Sequence, residues 1–137
     1  MRIEDLLIKH EGLRLKHYEC TAGDITIGVG RNLESMGLSE DEVYYLLAND
    51  IRRCEQELTK AFDWFTHLDS VRQDAMMDMC FNLGMSRLRG FRDALREMSL
   101  SNYEAASIEF LDSNWAEQVG QRAITITNMI RTGEYDA

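Results

Sequence analysis

Glu11, Cys20, Asp24 and Thr26 place a carboxyl group, a thiol, a second carboxyl group and a hydroxyl in one short stretch near the start of the chain. A carboxylic acid can give a proton to a leaving oxygen, a hydroxyl can orient a water, and a thiolate or carboxylate can take a proton or attack carbon. By its own surroundings Glu11 reads as an ordinary carboxylate near a helix end. Cys20 with His10, His17 or His67 suggests a Cys-His peptidase or amidase. Such a thiol normally needs an activating base and often a helix N-terminus, whereas Cys20 falls in an expected hairpin with His17 on the same short strand. His17 and Cys20 are too sparse a set for a zinc site. Gly28-Val29-Gly30 is not a nucleotide loop, because Leu33 stands where the third glycine belongs.

The elements that must position these residues are legible from periodicity and capping. Ile3, Leu6, Leu7 and Ile8 recur at helical spacing and Gly12 follows Glu11, which predicts a first helix over about residues 2 to 11. Leu15 to Glu19 and Asp24 to Ile27 flank Thr21-Ala22-Gly23 and predict a small hairpin, ended by Gly28 and Gly30. The remainder reads as helical. Ser39 and Glu42 form a capping box before Val43, Leu46, Leu47, Ile51, Cys54 and Leu58, predicting a long helix from about 40 to 60. Asp69 caps a helix that Gly84 stops, and Phe91, Leu95 and Met98 suggest a shorter one. Ser101 with Glu104 predicts a second capping box, and a last helix runs from near Gly120 to Arg131, with Gly133 beyond it. The expected fold is α+β and mostly α. A small N-terminal lobe with its connecting helix, about 1–60, and a helical lobe, about 61–137, make one domain, with a cleft between the lobes as the natural place for a polymer.

Composition narrows the function classes. A chain of 137 residues, 45% hydrophobic, can bury a core. With 24 acidic against 15 basic residues the net charge is -9, which argues against nucleic-acid binding, since that affinity comes largely from Lys and Arg on phosphates. Arg87, Arg89, Arg92 and Arg96 are read as a solvated helix face. Cys20, Cys54 and Cys80 form no disulfide framework, and Cys54 and Cys80 fall on apolar stripes as small core residues. The first residues are too charged for a secretory signal and no stretch approaches a membrane span. The expectation is synthesis in a reducing cytoplasm, without stable membrane association.

The segment from Glu11 to Gly30 closely resembles the phage-type lysozymes, whose signature is Glu, eight residues, Asp or Cys, five residues, Thr, met here by Glu11, Cys20 and Thr26. The resemblance continues in order through Leu38-Ser39-Glu40-Asp41-Glu42, Ser70-Val71-Arg72-Gln73-Asp74-Ala75, Arg89-Gly90-Phe91, Trp115, Gln121-Arg122-Ala123 and Arg131-Thr132-Gly133-Glu134-Tyr135-Asp136. It implies a muramidase that hydrolyses the β-1,4 bond between N-acetylmuramic acid and N-acetylglucosamine in peptidoglycan, without metal or organic cofactor; the alternatives are a non-catalytic peptidoglycan-binding module on the same fold, against which the presence of Glu11 speaks, and a Cys-dependent wall peptidase or amidase. It further implies a monomer serving host lysis, which accumulates in the host cytoplasm and reaches the wall when a separate holin-like protein perforates the membrane.

The resemblance also implies roles. Glu11 is the acid that protonates the leaving oxygen as an oxocarbenium-like transition state develops. Desolvation at the end of an apolar helix would favour a held proton, while Arg122, at the position of the family's arginine partner for the catalytic Glu, would act in the opposite sense, and the balance between them stays open. Cys20 stands where many members have Asp, and a free thiol with an ordinary pKa of about 8.5 is mostly neutral and a poor base. Three accounts stand open: Cys20 is deprotonated or positions water alongside Thr26; Cys20 attacks the sugar; or another carboxylate substitutes. Alternation along a strand places Glu19 badly and puts Asp24 on the same face as Thr26, so Asp24 is the better substitute. Phe81 and Asn82 lie where the family lines its cleft, while Phe91 and Trp115 read as core.

Overall fold

A computed structural model describes residues 2–136. Met1 and Ala137, the ends of the expected domain, lie outside them. The chain divides into two compact units, one ending at Leu46 and the other beginning at Leu47.

The first unit opens with α1, Ile3–Glu11, with Glu4 and Asp5 in its first turn and Lys9 and His10 in its last, a distribution that complements the helix dipole. It stops at Gly12, whose φ of 81° is left-handed and whose N–H donates to the carbonyl of Ile8. Strand β1, Arg14–Glu19, pairs antiparallel with β2, Ile25–Gly28, in the register Tyr18 to Thr26 and Glu19 to Ile25. The sheet does not end at the two glycines, as the sequence suggested. Val29-Gly30 is the two-residue connection to a third strand, β3, Arg31–Asn32, which pairs with β2 through Thr26 to Asn32 and Ile27 to Arg31.

Helix α2, Glu40–Ala61, begins at the expected capping box. Glu42 Oε1 accepts from the N–H and Oγ of Ser39, both at 2.9 Å, and the N–H of Glu42 donates to Ser39 Oγ at 3.4 Å. The same carboxylate takes both Nη atoms of Arg31 at 2.9 Å. That bidentate pair ties β3 to the start of α2 and holds the Glu42 pKa down at about 2, with the two Ser39 bonds adding to it. The boundary between the units falls inside α2, earlier than the one expected near 60. Cys54 and Leu58, its buried residues, belong to the core of the second unit.

The second unit continues with α3 (Ser70–Leu83), α4 (Met85–Leu88), α5 (Arg92–Ser99), α6 (Tyr103–Leu111), α7 (Asn114–Val119) and α8 (Gln121–Thr132). Asp69 caps α3 by accepting the N–H of Arg72, and Gly84 ends it. Gly133 closes α8 in the left-handed conformation. The second capping box does not form. Ser101 is itself left-handed, at φ 61°, closing the end of α5 with its N–H on the carbonyl of Met98. Asn102 then stands before α6, with its side-chain amide on Glu97. Leu58, Phe65, Met76, Met98, Phe110 and Ile130 are among the side chains that fill the core.

Candidate active site

Glu11 is the last residue of α1, and its carboxyl group is seated on the backbone of Gly30. A Cβ at position 30 would fall 2.6 Å from Oε2 and 3.0 Å from Cδ of Glu11, and φ there is 66°. Glycine suits position 30 because of the left-handed turn, and an added Cβ would have to push the end of the Glu11 side chain from its place.

At the other end of β2 a compact hydrogen-bond array holds the thiol. Cys20 follows β1 directly and is partly exposed, while Thr26 is only 3% exposed. The main-chain carbonyl of Asp24 accepts from the N–H of Cys20 at 2.9 Å and from Oγ1 of Thr26 at 3.0 Å. The Asp24 side chain is occupied: Nδ2 of Asn32 donates to its Oδ2 at 2.8 Å. Oδ1 of Asn32 in turn accepts from the N–H of Ser35 at 3.1 Å, so both ends of the amide have assigned partners. Because Asn32 lies opposite Thr26 and Arg31 opposite Ile27, the seat of Glu11 at Gly30 and the Cys20–Thr26 array are carried on one short sheet.

The thiol is not the ordinary free cysteine that the sequence suggested. Hydrogen bonds to the sulfur from the N–H groups of Ala22 and Asp24 lower its pKa, and the Thr26 hydroxyl acts in the same sense. Desolvation and the Asp24 charge oppose them without reversing the direction. More of Cys20 is thiolate near neutrality than an isolated thiol would supply. Cys80 shows the contrast. Burial, with the neighbouring Cys54 thiol, pushes its pKa up to about 12, as befits a core cysteine.

The other residues singled out from sequence lie in the second unit. Phe81 is half exposed on α3 and, with Arg122, Asp78, Met77, Leu47 and Ile51, lines a cavity of about 360 Å³. Nε of Arg122 donates to Asp78 Oδ1 at 2.8 Å. Asn82 is the next residue of α3, and its Oδ1 accepts from the indole N–H of Trp115 at 2.9 Å, a bond that orients the ring. Trp115 and Phe91 pack edge to face, and Trp115 is buried, as the sequence suggested. Sequence reasoning missed Asn32 and gave Gly30 no part in the site. A Val-Gly pair between two β-forming runs was the available signal for the turn, whereas nothing local marks Asn32.

The phage lysozyme family matches residues 8–131, nearly the whole chain. The chain belongs to the phage lysozyme family. Among relatives, the "Endolysin" of Salmonella phage P22 is 31% identical over 113 aligned positions, covering 77% of this chain and 75% of the relative. The "Endolysin" of Acyrthosiphon pisum secondary endosymbiont phage 1 is 29% identical over 121, covering 85% and 80%. "Probable T4-type lysozyme 2" of Dictyostelium discoideum is 23% identical over 160, covering 96% and 94%. Membership of the phage lysozyme family makes this chain a lysozyme-type glycosidase, and the small antiparallel sheet with many helices accords with the expected α+β fold.

Proposed function

We propose that this chain is an endolysin that hydrolyses the β-1,4 bond between N-acetylmuramic acid and N-acetylglucosamine, with Glu11 as proton donor and Cys20 with Thr26 as the second half of the site. The observation that carries this reading is the shared sheet, which seats the carboxyl of Glu11 on Gly30 and holds an acidified thiol beside a buried threonine. Glu11 protonates the glycosidic oxygen as the bond to the leaving sugar lengthens. The Thr26 hydroxyl, held within reach of both the Asp24 carbonyl and the Cys20 sulfur, orients a water beside the thiol in this reading. A Cys20 thiolate next to it takes that water's proton or stabilises positive charge on the sugar. Asp24, the alternative carboxylate, is tied to Asn32 and is less free to do the same. Phe81 and Asn82 contribute an aromatic face and an amide for saccharide, and Arg122, at the position of the family's arginine, is paired with Asp78.

Among the described residues no helix is long and apolar enough to cross a membrane. In this reading the enzyme acts as a monomer, without a metal or organic cofactor, in host lysis. It depends on a separate membrane-perforating protein to reach the wall.

Substitution separates the two candidates for the second role. Cys20→Ala is expected to lower the rate of wall hydrolysis by about 100-fold, in line with the loss of one acid-base or water-positioning group, and Asp24→Asn by far less. Cys20→Asp, which restores a carboxylate at that position, retains or raises activity. Initial rates on purified peptidoglycan measure all three. Full activity in Cys20→Ala together with loss in Asp24→Asn would transfer the role to Asp24.

A further inference from the structure

We propose that Asn32 is a positioning residue for the Cys20–Thr26 pair, acting by fixing the place of the Asp24 side chain while the Asp24 main chain holds both residues. The proposal rests on the reading that Cys20 and Thr26 form the second half of the active site.

Asp24 plays two opposed parts. Its carbonyl fixes the N–H of Cys20 and the hydroxyl of Thr26, and its own N–H points at the sulfur, all of which build the array. Its carboxylate is a like charge for a thiolate and works against it. The residue is needed for its backbone geometry, and its side chain has to be kept in a fixed place. Asn32 does that at 2.8 Å, from a strand position directly opposite Thr26. An amide suits this task. Its oxygen is already engaged by the N–H of Ser35, which leaves Nδ2, a neutral donor, to meet the carboxylate. Arg31, the other residue of β3, is held by Glu42 and by the carbonyl of Gly37, so the strand that presents Asn32 is anchored to the start of α2.

The neighbouring carboxylates do not substitute for Asp24 in this balance. Glu19 ends β1 opposite Ile25, and Glu34 accepts the N–H of Ile25 at 3.0 Å. Asp24 is the charged group that acts on the sulfur.

The test is the pH dependence of Cys20 alkylation by iodoacetamide in the full chain, followed by mass on the peptide that contains Cys20. Cys54 and Cys80 are buried and are read separately. Asn32→Ala frees the Asp24 carboxylate, and the midpoint of alkylation is expected to rise by roughly half a pH unit, about a threefold slower reaction at pH 7. Asn32→Asp, of nearly equal volume, sets a second carboxylate against Asp24 and raises the midpoint further. Adding Asp24→Asn to Asn32→Ala brings it back towards that of the native chain, a reversal that general loosening of the sheet would not produce. On peptidoglycan, Asn32→Ala is expected to lower kcat about tenfold with KM little changed. An unmoved midpoint in both single variants, or a double variant that fails to reverse the shift, overturns the proposal. Full hydrolysis by Cys20→Ala would instead overturn the catalytic reading of the pair, and the alkylation result would stand apart from it.

Discussion

Glu11→Gln is expected to lower peptidoglycan hydrolysis by about 1000-fold, within the 100- to 10,000-fold range that a positioned proton donor supplies, while the midpoint of urea unfolding stays close to that of the native chain. Glutamine keeps the size of the side chain and its fit on Gly30 but has no proton to give to a glycosidic oxygen. Among the described residues of the first unit Glu11 enters no side-chain hydrogen bond or ion pair, so its replacement disturbs little that holds that unit together. Rates on purified sacculi beside a denaturation curve separate the two effects. A variant that remains folded and lyses at the native rate would remove Glu11 from the mechanism.

Gly30→Ala is expected to be nearly as damaging to activity, by a different route. An alanine at φ 66° costs about 1–2 kcal/mol for its left-handed backbone. In addition its methyl carbon would lie 2.6 Å from Oε2 of Glu11, so the acid has to leave its seat. A displacement on the order of 1 Å in a catalytic group costs about 100-fold in rate. Gly28→Ala is the matched control. Its φ of 71° carries a similar backbone cost, but nothing lies within 4 Å of the added carbon. The expected outcome is comparable destabilisation of the two variants in urea, with the large fall in kcat confined to Gly30→Ala. Equal kcat values would show that the contact between Gly30 and Glu11 has no catalytic consequence.

Much of the helical framework was legible because its signals are local. The Ser39–Glu42 box, the Asp69 cap, and the glycines at 12, 84 and 133 each act within one turn of the residues they terminate, and each appears where the sequence placed it. Ser101 shows how such a signal misleads. The same Ser-x-x-Glu spacing occurs, but the residue is taken first by the end of α5, where it turns left-handed and cannot cap the following helix. Helices α4 and α7 are too short to show periodicity, although Ser113, which accepts the N–H of Ala116, was a readable start for α7.

The site divides along the same line. Glu11, Cys20 and Thr26 were identifiable through the spacing of a family pattern, and the environment of Glu11 adds no separate chemical signal. What surrounds them depends on strand pairing. Asn32 meets Asp24 because β3 folds back across Val29-Gly30, and a two-residue strand has no alternation to reveal it. The acidity of Cys20 arises likewise from N–H groups that a turn brings to its sulfur, a relation that residue type alone does not disclose.

The most direct test of the account is the chemistry of the product. Purified Gram-negative peptidoglycan incubated with the chain is expected to yield new reducing ends, with N-acetylmuramic acid at the exposed terminus, and no increase in free amino groups. New amines without reducing ends would instead indicate a peptidase or amidase, and neither product, with retained binding to the wall, would indicate a non-catalytic module.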